Sequence, residues 1–418
     1  GPVHNAHFMP VGAAKPAPHR LSGRLTVPPF ALQGRMELGF GYEWFPGFEV
    51  DFFDHDGRLV PVERGLILPR DGKSALTLIL SPGRVWSEPG DGGLSRASFP
   101  FVLGTTTGNA THNGLASFLY DDRSVSALRL QVVQETASAF FEFNLWGQGA
   151  MRYRPGELGH AEALRRRFER ELQAATVIRP WTALVAKYDP DTLAGFDPST
   201  RGDNPSVAGL IVDGVAYASP CRSRFGDYPY CAEMRHGAGG LSKTLGAGLA
   251  LLWLARKYGD WVYDLRIRDY VEVTARHRGW DRVRFADVLD MATGVGNRLP
   301  PYRRAGEHEN ARESRAARSM REKLAWIFKD GDLGSGPGER FRYRSNDTTV
   351  LAAAMDAFLK REAGPEARLW EMLGEEVLKP IGIAHLPMRH SREPDGGAGI
   401  PLLGDGLYPS IDDVAKLT

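Results

Sequence analysis

Gly237 to Asp260 reads GAGGLSKTLGAGLALLWLARKYGD. From Leu241 onward, Leu241, Leu245, Leu249, Leu252 and Ala255 recur at spacings of three or four, which predicts a buried helix. Ala247, Gly248 and Ala250 let neighbours approach closely, and basic Arg256 and Lys257 fall in the last turn before Gly259. A helix this apolar belongs in a core, so Lys243 in its first turn needs a reason. Packing near a helix N-terminus disfavours the ammonium form and makes this lysine a candidate general base. The alternative is a stem that runs along the helix and delivers the amine to solvent.

The chain has 418 residues, room for two or three domains. With 42% hydrophobic and 25% charged residues it has ample material for a core. A net charge of +1 gives no basis for a nucleic-acid partner. No run reaches the roughly 18 apolar residues that a membrane span needs, and Leu245 to Ala255 is better read as a core helix. Gly1-Pro2 reads as a cloning remnant, and no signal peptide follows it. Cys221 and Cys231 could close a small disulfide loop or be two buried thiols. A β-rich N-terminal region suits an exported, periplasmic or secreted protein.

Residues 1–20, with several Pro, Ala and His, predict a flexible lead-in. Strand-like runs fill 21–155: Leu21 to Val27, Met36 to Trp44, Phe48 to Phe53, Leu76 to Leu80, Leu115 to Tyr120, Ala127 to Val133 and Ala139 to Leu145. Turns such as Asp56-Gly57, Asp71-Gly72 and Pro82-Gly83 separate them, and the pattern predicts an all-β, sandwich-like accessory domain. Asp51, Asp54, His55 and Asp56 crowd one stretch, as Asp-Gly turns commonly make them do, and no metal is assigned there. Gly104 to Asn113, GTTTGNATHN, is a polar glycine-rich loop. Residues 156–205 hold an amphipathic helix, His160 to Ala175, and a linker rich in Pro, Asp, Ser and Gly.

Residues 206–418 form the second predicted domain. It opens on VAGLIVDGVAYA, where Asp213-Gly214 between apolar runs signals a hairpin. The helix quoted first comes next, and Val283 to Asn297, VRFADVLDMATGVGN, predicts a helix running into a glycine-rich loop. Tyr302 to Lys329 is arginine-rich and helical, with charges of both signs on a solvated face. FRYRSNDTTVLAAAMDAFLK, from Phe341 to Lys360, passes from an extended segment into a helix from about Thr348.

Three of these segments together resemble the penicillin-recognising serine hydrolases, which include class C β-lactamases, DD-peptidases and related esterases. GGLSKTLGAGLALLWLARKYGD is similar to that family's S-x-x-K helix, with Lys243 on the motif lysine. VRFADVLDMATGVGN is similar to the segment ending in Thr-Ser-Gly or Thr-Gly, here Thr293-Gly294. GERFRYRSNDTTVLAAAMDAFL is similar to the segment that places Tyr343 on the motif tyrosine, with Ser345 and Asn346 beside it. LKPIGI and GDGLYPSIDDVAKL resemble later segments. The resemblance spans about Val207 to Thr418. It implies an α+β domain, an antiparallel sheet flanked by helices, that cleaves a small-molecule ester or amide through an acyl-enzyme without metal or organic cofactor.

That spacing has a physical basis. A nucleophile three residues before a lysine shares its helix face, and the helix N-terminus directs N–H groups at a developing oxyanion. The tyrosine can carry a proton to the leaving group or to the deacylating water.

The sequence departs from the family at two points. Gly240 stands at the serine position and has no side chain to acylate. A substituted position in an active hydrolase, a chemically modified serine, or a natural non-catalytic binding protein would each account for it. Retention of Lys243 and Tyr343 favours the first two. Ser242 is the nearest hydroxyl but points about 100° round the helix from Lys243, which suits a structural role. The family's K-T-G or H-x-G strands, with the second oxyanion donor, are missing from the sequence. The resemblance therefore assigns Gly240 as the nucleophile position, Lys243 as base and Tyr343 as shuttle, supported by Ser242, Ser345 and Asn346.

Overall fold

A computed structural model describes residues 1–12, 14–36, 39–70, 72–133, 143–189, 191–196, 206–295, 311–329, 334–397 and 399–418, with the side chains of 311 and 312 left aside. The fold is mixed α+β. Its contacts divide into two compact units, Gly1–Thr106 with Ala110–His236 and Pro409–Thr418, and Thr107–Asn109 with Gly237–Tyr408. These differ in extent from the expected domains, because residues 206–236 and the last ten residues group with the sheet.

The first unit is built on strands β1 (Ser22–Val27), β2 (Gln33–Met36), β3 (Phe48–His55), β4 (Arg58–Pro61), β5 (Leu76–Leu80), β6 (Gly83–Trp86), β7 (Ser95–Thr105), β8 (Thr111–Tyr120), β9 (Leu128–Val132), β10 (Phe143–Gly149) and β11 (Arg152–Pro155). They form one antiparallel sheet in the order β11-β1-β3-β4-β6-β7-β8-β9-β10-β2, with β5 paired to β7. Leu25 and Val27 of β1 point into the core while Arg24 is exposed, the alternation of a half-buried strand.

Phe48 and Phe52 pack against Phe99 at 6.3 and 5.8 Å between ring centroids, in one core that also takes side chains from β5 and from β8 to β10. Each fully buried ring contributes roughly 1.5–3 kcal/mol. The sheet therefore curls over its own apolar face. The expected sandwich would have two separately bonded sheets; here the long strands β7 and β8 carry one ladder through.

Several strand boundaries differ from expectation. The expected strand Met36 to Trp44 is interrupted, since residues 39–43 turn and Gly41 takes a φ of +91°. Residues 139–142 of the expected run into Leu145 lie outside the described residues. β7 is not evident from the sequence because it is buried on both faces and shows no alternation. Asp51, Asp54 and His55 lie on β3 with protein partners: Arg24 Nη2 at 2.7 Å, Leu21 N–H at 2.9 Å and Glu169 at 2.9 Å.

Beyond the sheet, the helix Ala161–Ala174 forms where charge periodicity predicts it. The strands Gly209–Val212 and Val215–Ala218 make the expected hairpin, its turn held by Asp213 at φ 52° and Gly214 at φ 73°. Cys221 and Cys231 form a disulfide, with Cα atoms 5.5 Å apart. Arg235 pairs with Asp413 at 2.8 Å, both buried, while Asn113 bonds both backbone groups of Arg235. His236 N–H donates to Pro409 O at 3.3 Å, so the chain leaves this unit and returns to it at neighbouring points.

The second unit is helical. Its centre is Ser345–Ala363, whose Val350, Leu351, Ala354, Met355, Phe358 and Leu359 are buried. Among the described residues, Gly237–Tyr408 contributes no sheet strand, and its β pairing is confined to isolated bridges such as Met388 with Leu407. The antiparallel sheet expected for this half is thus not formed by these residues, whose apolar positions follow helical spacing. No described helix is long and apolar enough to cross a membrane.

Candidate functional site

Gly239, at φ +49°, turns the chain into the Lys243 helix. The turn is pinned by Asn109, whose Oδ1 accepts from Gly239 N–H at 2.5 Å, and by Leu407 O, which accepts from Ala238 N–H at 2.9 Å. The helix opens at Leu241 with a π-helical turn over Lys243–Gly248 and continues as Leu249–Tyr258. A π turn takes in an extra residue and so rotates the turns C-terminal to it. As a result only part of the predicted stripe, Leu245 and Ala255, is buried. Leu241 and Leu252 are exposed, while Lys243, Leu245, Ala247, Ala250, Leu251, Leu254 and Ala255 are buried.

Lys243 is therefore not a lysine that reaches solvent; it is 6% exposed. Its Nζ donates to Gly404 O at 2.8 Å and lies 4.8 Å from the centroid of the Tyr343 ring. A Cβ placed on Gly240 would stand 2.5 Å from Tyr343 Oη and 4.0 Å from Lys243 Nζ. Tyr343, far along the chain from residues 240 and 243, thus meets them at one point. A side chain at residue 240 would therefore begin beside both the phenol and the amine.

The Tyr343 segment is held by buried polar contacts. Arg342 N–H donates to Met291 O at 2.7 Å. Arg344 Nε lies 3.0 Å from Asp347 Oδ1, and Arg344 Nη1 donates to Val295 O. Thr293 Oγ1 donates to Asp347 Oδ2 at 3.0 Å, which ties the Thr293-Gly294 segment to the first turn of the Ser345–Ala363 helix. That helix starts at Ser345, three residues earlier than expected, so Asn346 lies in its first turn.

Ser242 is fully buried, and its Oγ accepts from Leu407 N–H at 3.3 Å, which makes it a backbone anchor. Ser345 and Asn346 line a cavity of about 80 Å³ with Gly404, Lys323, Arg389 and Asp405. Lys323, from the stretch expected to be solvated, is instead buried; desolvation and then the Arg389 charge lower its pKa to about 8.

Asn109, Gly404, Arg344, Asp347, Lys323 and Arg389 are not evident as site residues in the sequence. The Arg344-x-x-Asp347 spacing is a usable signal for an i,i+3 pair at a helix start. Gly404 acts through its carbonyl, for which no side-chain pattern exists.

No known family model matches the chain, and no curated protein does. A solved structure of a D-stereospecific amidohydrolase from Streptomyces sp. aligns with a TM-score of 0.32 and 9% identity. The alignment covers 44% of this chain and spans 59% of that one.

Proposed function

We propose that this is a site for acyl-enzyme hydrolysis of a small-molecule ester or amide, with residue 240 as the nucleophile position. Lys243 is the base for a hydroxyl there, and Tyr343 relays the proton to the leaving group or to the attacking water. The observation that carries this reading is the direction of the Gly240 Cβ, which ends beside Tyr343 Oη and Lys243 Nζ. The segment order along the chain, as in the penicillin-recognising serine hydrolases, supports it.

With glycine at 240 no acyl bond can form at that position. The glycine equally favours a second reading, a binding protein that keeps the pocket without chemistry. Gly240→Ser assayed against nitrophenyl esters and a chromogenic β-lactam separates the two. The hydrolase reading expects turnover well above that of Gly240→Ser/Lys243→Ala. Equal rates in the two proteins leave the binding reading.

A further inference from the structure

Beside this site, the cavity lined by Ser345, Asn346, Lys323, Arg389 and Asp405 has a charge and donor pattern that proton relay does not use. Asn346 and Arg389 are each more than nine-tenths buried. Asn346 Nδ2 and Arg389 Nη1 have no hydrogen-bond partner among the described residues. The nearest paired carboxylate oxygen to Arg389 is Asp405 Oδ1 at 3.8 Å, beyond hydrogen-bond reach.

Lys323 Nζ donates to the carbonyls of Ser314 and Arg315 at 3.0 and 3.3 Å, which holds a cation at the cavity edge. Two buried cations, Lys323 and Arg389, and the Asp405 carboxylate thus line one cavity. A buried donor left unmatched is destabilising, and more so when it is charged. A volume near 80 Å³ admits either several waters or a group of a few heavy atoms.

We propose that this cavity binds a carboxylate, free or carried on the substrate, through the Arg389 guanidinium and the Asn346 amide. A planar two-oxygen anion matches the fork of an arginine, and the amide N–H can complete one of its oxygens. Gly404 joins the two places: it lines the cavity, and its carbonyl accepts from Lys243 Nζ. The substrate-borne form rests on the hydrolase reading; the binding of a free carboxylate does not.

Calorimetric titration of the unaltered protein with acetate, and with neutral acetamide as control, tests the site. Saturable one-to-one acetate binding without acetamide binding is expected. Asn346→Leu and Arg389→Met should each weaken it by about tenfold or more, as expected for loss of a charge-assisted hydrogen bond. Thermal unfolding run alongside should show acetate raising the midpoint of the unaltered protein and not of Asn346→Leu.

Absence of saturable binding by the unaltered protein overturns the proposal, as does acetate affinity unchanged in folded Asn346→Leu. A second arm identifies the source. In Gly240→Ser, esters with and without a terminal carboxylate are compared, and faster cleavage of the acid assigns the carboxylate to the substrate. Cleavage of neither ester removes the hydrolase reading and leaves the calorimetric result standing by itself.

Discussion

Tyr343 Oη stands where a side chain at residue 240 would begin. The phenol is the free end of its side chain, so a serine there needs only a small swing of the ring, which leaves its hydroxyl in hydrogen-bond reach of Oη. Replacing Tyr343 by Phe in Gly240→Ser should therefore lower nitrophenyl ester turnover by roughly 10²–10⁴-fold. Circular dichroism should remain unchanged; an unaltered rate would remove the relay role. The Arg344–Asp347 pair makes a separate prediction. Both side chains are buried, so Asp347→Leu strands a cation and should cost about 3–5 kcal/mol in chemical denaturation. Arg344→Met/Asp347→Leu should cost less than that, and a double variant at the sum of the singles would contradict the pairing. Lys243 and Tyr343 are legible in the sequence because their motifs fix side chains at set spacings. Asn109, Gly404 and Arg389 are not, because what they contribute depends on which distant segments the fold brings together.

Among the elements, the Lys243 helix shows where periodicity misleads. The stripe through Leu241 and Leu252 follows a 3.6-residue repeat, but the π turn over Lys243–Gly248 shifts the buried face onto Ala247, Leu251 and Leu254. An i→i+5 turn has no composition of its own, so nothing in the residues announces it. The hairpin at Asp213-Gly214 is the opposite case, since its dipeptide dictates the turn. Gly214 has φ 73° with open space around a Cβ, so Gly214→Ala pays only for backbone strain. A loss of about 1 kcal/mol in urea unfolding is expected, and no loss would contradict the positive φ. Strands such as β1 are readable from alternation; β7 is not, because burial on both faces erases it.

At the scale of the molecule, the β-rich first half and the helices of the second are visible in the sequence, while the sheet expected for the second half is not found among its described residues. The limits of the two units are not visible either, because residues 206–236 reach the sheet through the Asn113 bonds to Arg235, and 409–418 follow through Arg235–Asp413. Burial also sets an acid limit on stability. His112 is buried and stacked 4.0 Å from Phe143, and desolvation lowers its pKa from 6.5 to about 4. Between those values the unfolded chain binds the proton and the folded protein does not, so this contribution is complete above the unfolded pKa and is lost as pH falls towards 4. The loss amounts to roughly 3 kcal/mol. His112→Leu should show a correspondingly shallower fall in denaturation midpoint from neutral to acid pH, and an identical slope would contradict it. Residue 240 carries the hydrolase reading, and mass spectrometry tests it directly. Gly240→Ser is mixed with a nitrophenyl ester, quenched and digested. The account predicts an acyl adduct on the peptide containing residue 240, absent from Gly240→Ser/Lys243→Ala; an adduct elsewhere, or one that survives loss of the lysine, would contradict it.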